Sequence, residues 1–378
     1  MRRIGGLITL AQGLLALRVL RRMAATLGGE RIGPASGADT TQWSVAVLLP
    51  ILNEADRLRG CLDRLVLQGD AVSEIIVIDG GSTDGSLATA QEYARQDGRI
   101  RVRSWTGESA GRNQKALQLQ SGVDLARDCP WILTIDADVR VEPELVDALV
   151  SFAGRHGYDV LSVATAQKLS GAGEALVHPS MLTTLVYRFG VPGGRQRRVE
   201  TTQANGQCFL VRREALNRVG GFAAVAGSLT EDVTLARALV DAGFRVGFHE
   251  TDGLATTEMY GGFDEALDNW TRSLPMRDRY AGSASVIGLA EVLFVQALPL
   301  VRGVRYRQRG ARGIGPALNR VLLGMRLGVL AGTARAYPGR PLTYWLSPVM
   351  DMPVALRLIR NYVRRTHTWR GRTIVNEG

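Results

Sequence analysis

The 378-residue chain is short of cysteine, histidine and aromatic residues, and each shortage removes a class of explanation. Its three cysteines, Cys61, Cys129 and Cys208, form no CxxC pair and no Cys/His cluster, which argues against a disulfide framework or a structural zinc site and suits a cytoplasmic compartment. The four histidines, His156, His178, His249 and His367, are scattered and read as structural or surface residues. His249 is the partial exception, because it ends an apolar run shortly before Asp252 and can reach a metal or a loop. Aromatics make up 6% of the chain and no known module pattern appears, so nucleic acid is not the expected partner. There is no G-x-G-x-x-G turn, which argues against a dinucleotide-dependent dehydrogenase. No small-residue cleavage site follows the apolar stretch at residues 4–20, so that stretch reads as an uncleaved anchor or an interfacial helix.

What is present is positive charge beside apolar sequence. The formal charge is +10 and the pI about 10.0, and much of the excess is arginine near the two ends, at Arg18, Arg21 and Arg22, over 302–312 and over 357–372. That placement favours a membrane surface as the anionic partner. Three further apolar runs, 283–301, 314–331 and 341–359, are each interrupted, by Glu291, by Arg320 and Arg326, and by Asp351 and Pro353. A charge at mid-membrane costs about 2.5–3.5 kcal/mol, so weak spans, re-entrant pieces, in-plane helices and buried bundle helices all remain open.

Four regions are expected: a membrane anchor or interfacial helix at 1–22, a Gly-, Ser- and Thr-rich linker at 23–43, a catalytic domain at 44–280, and a C-terminal membrane-associated helical region with a basic tail at 281–378. Within 44–280 short expected strands, aliphatic runs at 44–49 and 74–78 and further ones at 100–104, 131–135 and 159–163, alternate with helical stretches at 58–67, 86–95, 113–126 and 142–153. The alternation predicts an α/β fold with a doubly wound, mostly parallel sheet that binds ligands at the carboxyl ends of its strands. Regularity fails over 170–202, where glycines, Pro192 and the cluster Arg195, Arg197 and Arg198 suggest a mobile substrate loop.

The polar motifs fall at the expected strand ends. Pro50, Asn53 and Glu54 follow the first strand, and a glycine-rich turn from Asp79 to Gly85 follows the second. Asp79 reads as a nucleotide contact and Asp84 as the cap of the next helix. Asp136-Ala137-Asp138 places two hard oxygen ligands at the end of an apolar strand, where Mg2+ or Mn2+ shared with a diphosphate would neutralise a leaving nucleotide. Glu231 and Asp232 open a helix, where both acids complement the helix dipole and Asp232 is also able to act as a general base.

Taken in order, Pro50-x-x-Asn53-Glu54, the Asp79–Asp84 turn, Asp136-Ala137-Asp138, Gly206 with its following strand, and Gly220-Gly221-Phe222 leading to Glu231-Asp232 resemble a family 2 inverting glycosyltransferase of the GT-A fold over residues 44–272. The resemblance implies a UDP- or GDP-linked nucleotide-sugar donor, contacts to base and ribose from Pro50, Asn53, Glu54, Asp79 and Asp136, metal coordination by Asp138 with Asp136, and base action by Asp232. On the acceptor side Glu231 and Trp270 are the candidates, with Arg272 pairing the diphosphate, and a helix packing face accounts for Trp270 and Arg272 almost as well. The Gln-x-x-Arg-Trp pattern of processive members is replaced by Asn269-Trp270-Thr271-Arg272-Ser273, so processive synthesis is not implied.

The C-terminal apolar runs resemble lipid-acting members such as hopanoid-associated, carotenoid and ceramide glycosyltransferases. A lipid-like, isoprenoid or glycolipid acceptor and a cell-membrane location with the catalytic domain facing the cytoplasm follow as expectations. A synthase loading sugar onto polyprenyl phosphate, and a catalytically silent membrane-bound nucleotide-binding protein, are the alternatives.

Overall fold

The computed structural model describes residues 2–35, 43–364, 366–369 and 372–375. In chain order its first elements are α1 (Arg2–Thr26), β1 (Val45–Ile51), α2 (Ala55–Leu65), β2 (Val72–Asp79), α3 (Ser86–Gln96), β3 (Ile100–Ser104), α4 (Gln114–Leu125), β4 (Trp131–Ile135) and β5 (Val139–Val141). Then follow α5 (Leu145–His156), β6 (Val160–Ala164), β7 (Ala166–Gln167), α6 (Ala172–Phe189), β8 (Gly194–Gln196), β9 (Cys208–Arg212), α7 (Arg213–Arg218), α8 (Glu231–Asp241), β10 (Val246–Glu250) and β11 (Ala255–Thr257). The rest is α9 (Phe263–Ser273), α10 (Gly282–Glu291), a π-helical segment (Val292–Ala297), α11 (Leu298–Gln308), α12 (Ile314–Thr333), a 3₁₀ segment (Leu342–Met350), α13 (Asp351–Val363) and the hairpin β12 (Thr366–Trp369) and β13 (Arg372–Val375).

The chain divides into two compact units. The sheet unit comprises Gly29–Ala166, Pro192–Glu258 and Thr366–Gly378, and the helical unit Met1–Gly28, Gln167–Val191 and Met259–Arg365.

The eight-stranded sheet has the order β3-β2-β1-β4-β9-β6-β10-β8. Its ladders set β9 and β8 antiparallel to their neighbours and leave the other strands pointing one way, so the sheet is mixed but mostly parallel. Both faces are covered, which explains why β1 lacks a polar alternation in sequence. Val45, Val47, Leu49 and Ile51 point into the core shared with α2 and α5, while Ala46 and Leu48 point into the core shared with α4 and α8. A three-stranded sheet of order β5-β11-β7 adjoins the end of β4.

The helical unit answers the question posed by the interrupted apolar runs. Glu291 is fully buried and paired with Arg22 at 2.8 Å and Arg18 at 3.2 Å, so α1 supplies the countercharge for α10. Asp351 is likewise buried, bonded to Arg326 at 2.8 Å, to Ser180 Oγ at 2.7 Å and to Gln296 Nε2 at 2.9 Å. Two helical stretches, Gly282–Gln308 and Ile314–Ala336, are long and apolar enough to cross a membrane, half of the first and a third of the second being buried in the protein. Neither α1 nor the 341–359 run qualifies among the described residues.

Two local expectations need correction. Residues 170–202 are not a loop throughout, because α6 runs for 18 residues through Pro179 and ends at Gly190. Pro179 has no N–H to give the Ala175 carbonyl, and the helix continues through it because most of its side chains are buried among their neighbours. Residues 23–26, expected in the linker, are instead the last turn of α1, whereas 36–42 lie outside the described residues.

Candidate active site

The ends of β1, β2 and β4 meet at one edge of the sheet unit. Pro50 falls beyond the last β1–β4 pair, Leu48 with Thr134, where a residue without an N–H is tolerated. Asn53 adopts φ 55°, a region that asparagine enters more readily than most residues. It donates its N–H to Ser82 Oγ at 3.0 Å and accepts from Thr83 N–H at 2.8 Å. Glu54 N–H donates to Ser86 Oγ at 2.8 Å. The two turns that follow β1 and β2 are therefore stitched to each other.

Asp79 is buried and accepts from Gly81 N–H at 3.1 Å and Ser82 N–H at 3.2 Å, folding the turn back over the strand end. That turn needs Gly81 at φ 91° and Gly85 at φ 94°. The cap residue of α3 is Gly85 and not Asp84 as expected; Asp84, one residue earlier, accepts from Ser86 N–H at 3.0 Å and Ala55 N–H at 2.9 Å and so ties the start of α3 to α2.

Helix α4 organises the edge from behind, a part that sequence reasoning missed. Gln118 Nε2 donates to the carbonyls of Ile78 at 3.0 Å and Ile51 at 3.2 Å, and Gln114 Nε2 donates to Gly80 O at 3.0 Å. Lys115, between them, places its ammonium 2.8 Å from Asp136 and 3.3 Å from Glu231. Burial alone would favour losing its proton, but Asp136 and Glu231 more than offset this and hold the ammonium well above its ordinary value. One signal was available: in a chain with 46 Lys and Arg, Lys115 and Lys168 are the only lysines.

Asp232 completes the cluster. Its Oδ2 accepts from Gly206 N–H at 2.6 Å, and a Cβ at Gly206 would approach Asp232 Cβ at 3.1 Å and Lys115 Nζ at 3.2 Å, so any side chain at this crossing would push on both. Gly206 is itself held by a polar scaffold, since Gln207 Oε1 accepts from Thr165 Oγ1 at 2.8 Å and Asn205 Nδ2 at 3.0 Å. Glu231 is buried and accepts from Asn113 Nδ2 at 2.8 Å. Burial, and then the Glu231 charge, push the Asp232 carboxyl up to about 7 against the pull of Lys115.

Asp138 is the other displaced acid. Burial, then Asp136, then Glu54 push it up to about 7, with Arg57 and Lys115 opposing. Its Oδ1 is buried without a hydrogen-bond partner. An oxygen left open in this way is the feature a divalent cation requires. No group of three or more His, Cys, Asp or Glu able to hold a metal occurs among the described residues. A cation there would take few protein ligands and draw the rest from phosphate and water, as Mg2+ commonly does.

The sheet unit thus holds Pro50, Asn53, Glu54, Asp79, Asp136, Asp138, Glu231 and Asp232 together. Trp270 and Arg272 lie on α9 of the helical unit, where the Trp270 ring centroid is 4.1 Å from that of the buried His178. His249 is committed elsewhere, its Nδ1 to Glu30 O at 2.8 Å and its Nε2 to Tyr158 Oη at 3.2 Å, so both ring nitrogens serve structure.

Residues 46–220 match the family model described as glycosyl transferase family 2, so the chain carries a family 2 glycosyltransferase domain. An uncharacterised glycosyltransferase of Escherichia coli (strain K12), YibD, is 30% identical over 118 residues, 31% of this chain and 32% of its own length. The succinoglycan biosynthesis protein ExoA of Rhizobium meliloti (strain 1021) is 26% identical over 56% of this chain and 62% of its own. The chain therefore spans less than two thirds of these curated relatives. Among solved structures, the mannosyltransferase PcManGT from Pyrobaculum calidifontis, in complex with GDP-Man and Mn2+, aligns over 96% of this chain and 98% of its own with TM-score 0.56 at 18% identity, which shows a shared GT-A-like fold.

Proposed function

We propose that this chain, with its family 2 glycosyltransferase domain, is an inverting glycosyltransferase that moves a sugar from a UDP- or GDP-linked donor to a hydroxyl of a lipid-like acceptor. The observation that carries the reading is Asp232, a carboxylate fixed by Gly206 N–H beside the row Glu231, Lys115 and Asp136 and raised to about 7. A carboxylate in that range takes a hydroxyl proton more readily than an ordinary one.

In this reading Asp232 takes the acceptor proton as the hydroxyl oxygen bonds to the anomeric carbon. The bond to the diphosphate breaks on the opposite face, and its electron pair leaves with the nucleoside diphosphate, so configuration inverts. Asp138, through its open oxygen, and Asp136 would hold Mg2+ or Mn2+, which when bound stabilises charge on the departing diphosphate. Lys115 holds Asp136 and Glu231 in place through its ion pairs with both. Pro50, Asn53, Glu54 and Asp79 frame the nucleotide at the strand ends, and Glu231 serves the acceptor.

The apolar stretches of the helical unit support a lipid acceptor and a cell-membrane location, and the three buried free cysteines accord with a cytoplasmic catalytic domain. A second reading, transfer onto polyprenyl phosphate, draws support from an undecaprenyl-phosphate 4-deoxy-4-formamido-L-arabinose transferase of Aeromonas hydrophila that is 32% identical over 31% of this chain and 35% of its own. Incubating membranes with a panel of labelled nucleotide sugars and extracting the lipid tests both. A labelled glycoside supports the first reading, an acid-labile glycosyl phosphate the second, and an unlabelled lipid fraction with every donor sinks both.

A further inference from the structure

We infer that the helical unit docks into one leaflet of an anionic bilayer and does not cross it, so that both ends of the Gly282–Gln308 helix face the same side. The inference rests on the proposed action at a membrane and adds how the membrane is engaged.

Its first support is the shape of the apolar surface. On α1 the exposed Leu7, Leu10, Leu14 and Leu17 form a single stripe at helical spacing. On the 3₁₀ segment Leu342, Leu346 and Val349 are exposed, and Trp345 lies beside them with Arg340 5.7 Å from its ring. These are apolar faces of surface helices, bordered by an aromatic and a guanidinium of the kind that settle at headgroup depth.

Width is the second. Along α12 and the turn after it, the exposed apolar band uninterrupted by exposed charge runs from Arg320 to Arg335, with exposed Ile314 lying beyond Arg320. At about 1.5 Å per residue that band spans roughly 22 Å, against a hydrocarbon core of about 30 Å. The α1 stripe is shorter still, at roughly 15 Å, close to the depth of one leaflet.

Charge decides between docking and crossing. Residues 292–350 contain nine arginines and no acid. Arg305, Arg307, Arg309 and Arg312 are exposed around the turn from α11 to α12, and Arg335 and Arg340 are exposed at the far end of α12. A hairpin crossing the membrane would leave one of these basic ends on the translocated side, contrary to the retention of short arginine-rich loops on the side of synthesis. Docked in one leaflet, both ends meet anionic headgroups.

The test uses the full chain with Ser283→Cys or Gln308→Cys, exposed positions at opposite ends of the helix. The native Cys61, Cys129 and Cys208 are buried and give little background. Sealed right-side-out and inside-out vesicles are treated with a membrane-impermeant maleimide, and detergent-opened vesicles confirm that each variant reacts. Both variants labelling in the same vesicle orientation is expected. Labelling in opposite orientations overturns the inference while leaving membrane action intact, whereas recovery of the chain in the soluble fraction overturns membrane action itself. A second arm floats the purified native chain with phosphatidylcholine vesicles with or without phosphatidylglycerol. At least a tenfold gain with the anionic lipid, reversed by salt, is expected, and equal binding to both overturns the charge argument.

Discussion

Acids are buried in both units, but they are completed differently. In the helical unit Glu291 and Asp351 are enclosed and met by arginine and hydrogen-bond donors, so that Asp351 receives Arg326, Ser180 and Gln296. In the sheet unit Asp138 keeps a buried oxygen without a partner, and Asp232 is pushed up to about 7. A saturated acid holds helices together, while an acid kept short of partners is poised to take a cation or a proton. Burial alone does not separate the two.

The largest expected effect tests the poised side. Asp232→Asn should lower transfer by about 10²–10⁴-fold, the ordinary worth of a general base, while leaving donor affinity unchanged. Turnover of labelled donor, with donor binding followed by calorimetry, measures both. Near-native turnover would remove Asp232 from the chemistry. Next comes the saturated side, where Arg326→Met strands Asp351 and should destabilise the helical unit by about 3–5 kcal/mol, read from the urea midpoint in detergent. A change below about 1 kcal/mol would show that the Arg326–Asp351 pair does not hold its helices.

The contrast was only half legible in sequence. β4 is found at its expected bounds because a strand covered on both faces reads as a short run without polar alternation, and the acids at its end stand out against it, whereas β3, also at its expected bounds, is a sheet-edge strand whose Arg101 and Arg103 alternate with Ile100 and Val102. The helical unit was not legible as a unit, since it gathers three segments far apart in the chain, and Glu291 and Asp351 looked like flaws until Arg22 and Arg326 were seen to meet them. Helix α6 was hidden by Gly171, Gly173, Pro179 and Gly190, local punctuation that tertiary packing overrides. Lys115 escaped notice because it stands in a helix, away from the strand-end motifs, and only packing brings it to Asp136 and Glu231.

Asp138→Asn should sharpen the comparison from the sheet side. Metal-dependent donor affinity should fall about tenfold or more, since one hard oxygen ligand is lost, yet stability should hold or rise slightly because a disfavoured buried charge is removed. Donor binding with and without Mn2+, together with a melting curve, separates the two outcomes. Loss of stability on the scale of Arg326→Met would place Asp138 with the saturated acids.

The pH dependence follows from Asp232. Its folded value lies near 7 and its unfolded value near that of an ordinary carboxyl, about 4. Between those values the folded chain keeps a proton that the unfolded chain has released, so this contribution to stability is complete below about pH 4 and is lost as pH rises through about 7. Activity should run the other way, because the base works only when deprotonated. The acidic limb of kcat/KM should therefore fall near pH 7, and a limb near pH 4 would mean that Asp232 is unperturbed or is not the base.

The smallest effect concerns the surface. Of the large apolar side chains exposed among the described residues, Leu67 alone belongs to the sheet unit, and the others lie in the helical unit. A single exposed leucine is ordinary, whereas many on one unit imply a nonaqueous neighbour. Leu67→Gln should alter stability by less than about 0.5 kcal/mol and leave vesicle binding untouched. Leu346→Gln should be similarly mild in solution, because the side chain is more than half exposed, but it should weaken vesicle flotation by about 1.5–3 kcal/mol if that side chain enters the bilayer. Equal flotation of the two variants would mean that the apolar surface of the helical unit meets something other than lipid.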